Sequence, residues 1–250
     1  MFSREIIDNQ YKNAAQKQGV KIEIAYAPGL PKTQEIVETG GEFTIKLNSD
    51  RVSEADYEEY VSYNARKIIL PRLRLETGRL RLRRFERSDA EDCFAFLSCK
   101  EDAYMDDGIF FISMDEDYNR LMDDYAEQTR YMIVLKETGR AIGSINLFDD
   151  HTRAVETKEI GYVIAPEYKR RGYAFEALSA FLRYLLYDLN LQLAVAGVIP
   201  DNIPSIGLIE KLGFQYEGRK HKAYWNEMRG PVDLRYYYLE KNMLPPADGG

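Results

Sequence analysis

Three consecutive cations, Lys169, Arg170 and Arg171, stand before a glycine and a helical apolar pattern in the stretch YKRRGYAFEA, residues 168–177. Positive charge at a helix N-terminus opposes the helix macrodipole, so the arrangement is unfavourable unless an anion binds there. Phosphate suits the position, because the first N–H groups of a helix have no partners within the helix. The alternative is a solvated loop with basic residues present by chance. The position between a strand pattern and an apolar helix favours the anion site.

Two small residues in the same stretch also indicate that a ligand binds close to the backbone. Gly172 lets the backbone approach the anion, and Ala174 keeps its own position small, so the N–H groups from Arg170 through Tyr173 to Ala174 can converge on a pyrophosphate. The sequence contains neither the GxxxxGK[ST] pattern of a P-loop nor the GxGxxG pattern of a dinucleotide-binding fold. Both of those phosphate-binding classes are therefore excluded.

The elements that position this stretch are predicted from apolar periodicity. Residues 72–243 alternate strand patterns with helical patterns, which indicates a mixed α/β (α+β) domain. Residues 1–71 form a small α+β extension, in which two helices flank strands at 21–27 and 42–47. The first helix is expected at about 3–18, and the second begins at Ser53, the N-cap of the capping-box pattern SEAD, and ends at Pro71. Residues 244–250, which include PPADGG, are predicted to be a flexible tail.

Composition bounds the possible functions. The chain has 250 residues, a formal net charge of −7 and two cysteines, Cys93 and Cys99, which form no metal-ligand pattern. No metal, no nucleic acid and no membrane partner is expected, because the acidic balance offers no general attraction to polyanions. The sequence has no run of eighteen apolar residues and no apolar leader, so a soluble cytoplasmic protein is predicted, as a monomer or homodimer.

The stretch from Lys169 to Ala174 resembles the acetyl-coenzyme A loop of the GNAT N-acetyltransferase superfamily, [RQ]xxGx[GA], with Lys169 departing from the usual Arg or Gln. Residues 139–147 resemble the third strand of that superfamily, 159–178 its fourth strand, loop and helix, and 198–214 its fifth strand and fourth helix. The chain is most similar to the branch that includes the ribosomal-protein-alanine acetyltransferases, over about residues 76–241. The resemblance implies a mixed, mostly antiparallel central sheet flanked by helices.

The same resemblance implies acetyl-CoA as cosubstrate. Its pantetheine arm would lie between the splayed fourth and fifth strands, where the backbone N–H of Val163 or Ile164 would bind it and polarise the thioester carbonyl. Asn202 matches a residue that contacts the coenzyme. The alternative role of Asn202 is a helix N-cap, and the two roles are compatible.

Glu159 is the expected general base, because an alkyl amine with a pKa near ~10 must lose a proton before it attacks. It lies two residues before Gly161 and four before Val163 on the same face of a strand. The alternative is a surface glutamate or an ion-pair partner. The superfamily's usual tyrosine proton donor is absent, since Ile209 stands at its position. Ser205 matches the serine that has this role in the alanine-acetyltransferase branch, although it too can serve as a helix cap.

An acidic segment indicates the acceptor. Residues 101–127 contain ten carboxylates and one cation, Arg120. In the superfamily this region lines the acceptor site, so we expect the acceptor to be a cationic small molecule or a peptide N-terminus. The alternative is a solvated acidic helix face, which would give the same pattern. Two hypotheses follow: an acetyl-CoA dependent N-acetyltransferase, or a non-catalytic acyl-CoA binding module whose N-terminal extension contacts a partner.

Overall fold

The structure, a computed structural model, describes residues 3–105, 111–115, 118–119, 122 and 130–245. The chain forms two compact units: residues up to Arg74 with Tyr187–Asn190, and Leu75–Leu186 with the residues from Leu191 onward. The division predicted from the sequence, after residue 71, stays a prediction. Of the predicted tail, residues 246–250 lie outside the described residues, whereas Leu244 is buried and the Pro245 carbonyl accepts a 2.6 Å hydrogen bond from Arg183.

The described part of the first unit contains two α-helices and three strands: α1 (Arg4–Gln16), β1 (Lys21–Ala27), β2 (Gln34–Thr39), β3 (Glu42–Asn48) and α2 (Tyr57–Ile69). Strand β3 lies in the middle, parallel to β1 and antiparallel to β2. The sequence patterns missed β2, because its residues are half-buried or exposed and show no apolar alternation. The predicted cap at Ser53 was also wrong: residues 53–56 form a turn, and α2 begins after Asp56.

The larger sheet has eight strands in the order β10-β11-β9-β8-β7-β6-β5-β4. The strands are β4 (Arg74–Glu76), β5 (Leu80–Arg84), β6 (Arg130–Leu135), β7 (Ala141–Asp149), β8 (Thr157–Ile164), β9 (Leu193–Val198), β10 (Gln215–Asn226) and β11 (Gly230–Leu239). Its helices are α3 (Ala90–Leu97), α4 (Lys100–Met105), α5 (Tyr173–Arg183) and α6 (Ile203–Lys211). The β8–β9 pair is parallel and the other registered pairs are antiparallel. The predicted mixed, mostly antiparallel fold is therefore confirmed.

The two faces of this sheet can be told apart by register, because residues directly opposite each other point to the same side. On one face Tyr131 of β6 packs against Phe181 of α5, with ring centroids 5.0 Å apart. On the other face Met132 contacts Cys93 of α3, with a sulfur–sulfur distance of 3.9 Å. We refer to these as the α5 face and the α3 face.

No helix in the described parts of the chain is both long and apolar enough to cross a bilayer. The cytoplasmic location stays a prediction.

Candidate active site

Strands β8 and β9 separate part-way along their length. Their register pairs Thr157 with Leu193 and ends at Glu159, which pairs with Val195. Strand β8 continues to Ile164 and β9 to Val198, and the register of these two described strands has no further pairs. A gap in the backbone ladder therefore opens between the two strands.

The hydrogen-bond register determines which N–H groups of β8 face that gap. At one end the Asp150 N–H donates to the Thr157 carbonyl at 3.2 Å, and at the other the Ala165 N–H donates to the Ile142 carbonyl at 2.9 Å. Antiparallel partners alternate between bonded and non-bonded pairs, so the N–H of Val163 points toward β7 and that of Ile164 points toward the gap. The two predicted donors are thus not equivalent.

The loop after β8 turns sharply into α5. Arg170 has φ 59° and Gly172 has φ 80°, both in the left-handed region, and Gly172 is the N-cap residue of α5. Because the N-cap residue is a glycine, it has no side chain that could accept from the first N–H groups of this helix, and these groups have no acceptors within the helix. Tyr173 and Ala174 are the first two helical residues, so the predicted N–H cluster lies at an uncapped helix start.

The three predicted cations of this loop have different surroundings. Lys169 forms an ion pair with Asp102 of α4, and Arg170 and Arg171 are exposed. The Arg171 carbonyl accepts a 3.0 Å hydrogen bond from the Arg79 guanidinium.

Arg79 also fixes the start of α5. Its Nε donates to Glu176 at 2.7 Å, and its guanidinium lies 4.3 Å from the Tyr173 ring centroid. Sequence reasoning missed Arg79, because it is 92 positions away from Arg171 and nothing in its local pattern indicates the contact.

Glu159 lies on the α3 face, half-buried beside the point where the strands separate. A methyl group added at Gly197 would lie 3.0 Å from the Glu159 Oε1 atom, so the carboxylate extends over β9. Burial raises the pKa of Glu159 and the charge of Asp150 adds to this, whereas the charge of Lys220 and the Gly197 N–H lower it. The net shift is upward, which suits a general base that must accept a proton.

Asn202 and Ser205 lie together at the start of α6. Asn202 is the N-cap, as predicted: its Oδ1 accepts from the Ser205 N–H at 3.2 Å, and its Nδ2 donates to the Met105 carbonyl at 3.2 Å. The Ser205 hydroxyl is 2.9 Å from the Tyr162 hydroxyl of β8, and either oxygen can be the donor. Tyr162 was missed by sequence reasoning, since a tyrosine in a strand pattern is ordinarily a packing residue.

The acidic segment is described only in part. Residues 106–110, 116–117, 120–121 and 123–129 lie outside the described residues. Phe111 is buried in the α3-face core with Phe96, so it is a packing residue. Among the residues that are described, no group of three or more His, Cys, Asp or Glu side chains could hold a metal ion.

A family model described as an acetyltransferase (GNAT) domain matches residues 79–215. An uncharacterized N-acetyltransferase of Bacillus subtilis, YnaD, is 31% identical over 180 residues, which cover 66% of this chain and 95% of that protein.

Two solved structures share the fold at lower identity. The ribosomal-protein-S5-alanine acetyltransferase of Vibrio fischeri has a TM-score of 0.55 at 17% identity and covers 70% of this chain and 100% of its own. The spermidine N-acetyltransferase of Vibrio cholerae, in complex with CoA and spermine, has a TM-score of 0.57 at 20% identity and covers 67% and 98%.

Proposed function

This chain belongs to the GNAT acetyltransferase family, and from that premise we propose that it moves an acetyl group directly from acetyl-coenzyme A to a cationic small amine or a protein N-terminus. The superfamily assignment made from the sequence is confirmed, as is the acyltransferase class. The observation that carries the proposal is the gap between β8 and β9, which opens beside the uncapped start of α5.

The donor side fits a coenzyme A ester. The pyrophosphate would lie on the N–H groups of residues 170–174, where Gly172 provides the left-handed backbone and Arg170 and Arg171 provide exposed positive charge. The pantetheine arm would extend along the gap, where the Ile164 N–H is the donor that faces it. Of the two N–H groups expected for the thioester carbonyl, Ile164 is therefore preferred over Val163. Asn202 lies at the start of α6 and would contact the arm.

Glu159 would act as the general base. It takes a proton from the acceptor nitrogen, directly or through water, while the nitrogen lone pair attacks the thioester carbonyl carbon. The carbon–sulfur bond then breaks and the sulfur leaves as a thiolate. Because its carboxylate lies on the α3 face, Glu159 would meet an acceptor that enters from that side.

Ser205 and Tyr162 would deliver the proton that the thiolate needs. Their hydroxyls are 2.9 Å apart, so a proton can pass between them, and either group can present it toward the gap. Tyr162 lies on the α5 face, opposite Ile145 and in line with Tyr131. The acid would therefore lie on the other side of β8 from the base.

Two observations support an amine as the acceptor: the negative charge of residues 101–127 and the names of proteins that share the fold. Seven of the ten carboxylates of residues 101–127 lie outside the described residues, so the negative charge of this segment is known from the sequence alone. The V. cholerae neighbour is named for spermidine and was solved with spermine, and the V. fischeri neighbour is named for an alanine of ribosomal protein S5. Both acceptors carry an amine.

We assign this activity to residues 72–243, and residues 1–71 would be an extension of unknown role. The assignment can be tested with a variant of the full chain. Arg170→Ala and Arg171→Ala together should weaken coenzyme binding, whereas Arg51→Ala, an exposed arginine of the first unit, should leave it unchanged.

The direct test is acetyl-CoA turnover with the full chain, read by thiol release. The panel contains spermidine, a peptide that begins with alanine and an aminoglycoside. Turnover with any of them, together with mass spectrometry that locates the acetyl group on nitrogen, supports the proposal. Tight coenzyme A binding with no turnover on the panel would instead favour the non-catalytic acyl-CoA binding module.

A further inference from the structure

Two glycines lie side by side on the α3 face where β8 and β9 separate; Glu159, Leu234 and Tyr236 cover Gly197, whereas the atom nearest to a methyl group added at Gly161 belongs to Asn146. Glu159 and Val195 are register partners, so Gly161 and Gly197, each two residues further along, lie on the same face as they do. The Glu159 carboxylate extends over Gly197. The space above Gly161 is bordered on the β7 side by Asn146, whose Cβ would lie 3.7 Å from a methyl group added at Gly161.

Asn146 carries an unusual side-chain oxygen. It is the register partner of Gly161, so its side chain points to the α3 face. Its Oδ1 is buried and has no hydrogen-bond partner among the residues that the structure describes. The neighbouring donor, Arg130, directs its Nη1 to Ser144 instead, at 3.0 Å. A buried amide oxygen without a donor loses the hydrogen bonds that water would give it, so such groups are rare in folded proteins.

Asn146 and Glu159 lie on either side of Gly161 on the α3 face. Asn146 lies opposite Gly161, two residues from Glu159, and side chains in that diagonal relation have origins about 7–8 Å apart. The Glu159 carboxylate extends over Gly197, the neighbour of Gly161 on the other side, so a nitrogen above Gly161 would lie between the amide and the carboxylate. A neutral primary amine has two N–H groups and a lone pair.

We propose that the Asn146 Oδ1 atom accepts one N–H of the acceptor amine and so selects a primary amine. The other N–H then faces Glu159, and the lone pair is directed toward the gap, where the thioester carbonyl would lie. Asn146 thus binds the acceptor amine, and its unpaired oxygen is a hydrogen-bond acceptor kept for an N–H of the substrate. The inference rests on the proposed function, since it needs an amine at that place.

An ordered water or a purely structural role is the competing explanation, and stability separates the two. If the oxygen is kept for substrate, Asn146→Leu removes an unpaired polar group and does not lower the melting temperature. The matched control is Asn48→Leu in the first unit. The Asn48 Oδ1 accepts from the Asp50 N–H at 2.9 Å and its Nδ2 donates to the Leu30 carbonyl at 2.7 Å, so that variant should lose stability.

The experiment measures steady-state kinetics of the full chain with the three amines of the panel. In Asn146→Leu we expect kcat/KM for the fastest of them to fall about tenfold, with KM for acetyl-CoA within twofold of wild type. The wild-type preference for that amine over its N-methylated counterpart should shrink in the variant.

Three results would overturn the inference. An unchanged acceptor kcat/KM would show that Asn146 does not touch the amine. A melting temperature lowered as much as in Asn48→Leu would show a structural role. If the wild type acetylates none of the three amines of the panel, the proposed function fails and this inference fails with it; that result can be told apart because it is seen with the wild type, before any variant is made.

Discussion

The two faces of strand β8 carry different halves of the proposed reaction and are built in different ways. Toward α5 and α6 lies Tyr162, and the N–H of Ile164 points into the gap beside it, next to a loop whose residues 169–174 are contiguous in sequence. Toward α3 lie Glu159 and Gly161, together with Asn146 and Gly197 from the two neighbouring strands. The donor side is thus a local motif, whereas the acceptor side is assembled across three strands.

The difference between the two sides shows which binding interactions a short sequence motif can encode. A pyrophosphate is bound largely by backbone N–H groups, and a short loop supplies all of them together. An amine acceptor is oriented by side chains that must converge from separate strands. Variants on the two faces should therefore separate the kinetic constants of the donor from those of the acceptor.

The largest expected effect on the rate comes from a change on the α3 face. Glu159→Gln should lower kcat/KM about 100-fold at neutral pH, since general-base catalysis contributes at least that much. The deficit should shrink as the pH approaches the amine pKa of ~10, where the amine deprotonates without help. A pH–rate profile of both proteins, with Glu38→Gln as an exposed control, checks this. Equal rates for variant and wild type at pH 7 would contradict the base assignment.

The thermal stability of Glu159→Gln should not fall with its activity. Burial raises the folded-state pKa of Glu159 above its unfolded value. The folded protein therefore holds this proton more tightly, and the associated stability is present at low pH and lost as the pH rises through the folded-state pKa. At pH 7 Glu159→Gln removes a charge that burial disfavours, so its melting temperature should equal or exceed that of the wild type.

A smaller effect is expected for the proton donor on the α5 face. Tyr162→Phe and Ser205→Ala should each lower kcat about tenfold, because a thiolate leaves readily and needs less help than an amine. Since the two hydroxyls are 2.9 Å apart and act in one path, the double variant should be no slower than the slower single variant. Losses that add in the double variant would show that the two groups act separately.

The smallest effect is expected in the donor loop. Alanine at Gly172 must adopt φ 80°, which costs an L-residue about 1–2 kcal/mol, so Gly172→Ala should raise KM for acetyl-CoA about fivefold and leave the acceptor KM unchanged. The matched control is Gly207→Ala in α6, where the new methyl group meets no atom within 4 Å. It should stabilise the helix by about 0.5–1 kcal/mol. A change in the acceptor KM alone would contradict the division between the two faces.

Patterns within single elements were the most predictable part of the fold. The periodicity of α5 and the cap at Asn202 were predicted, because each depends on residues close in sequence. Strand β2 was missed, since its pairing with β3 compensates for a sequence without apolar alternation. The cap at Ser53 was misplaced, because its local signal is also that of the turn that forms there.

The sequence by itself determined the family, the fold class and the phosphate loop, because a contiguous stretch contains its own chemistry. Only the tertiary structure decided that Arg79 supports that loop, that Tyr162 meets Ser205, and that Asn146 and Glu159 lie on the same face on either side of Gly161. These contacts depend on strand register and helix placement. Register is set by the packing of the whole sheet, so no short stretch of the chain encodes them.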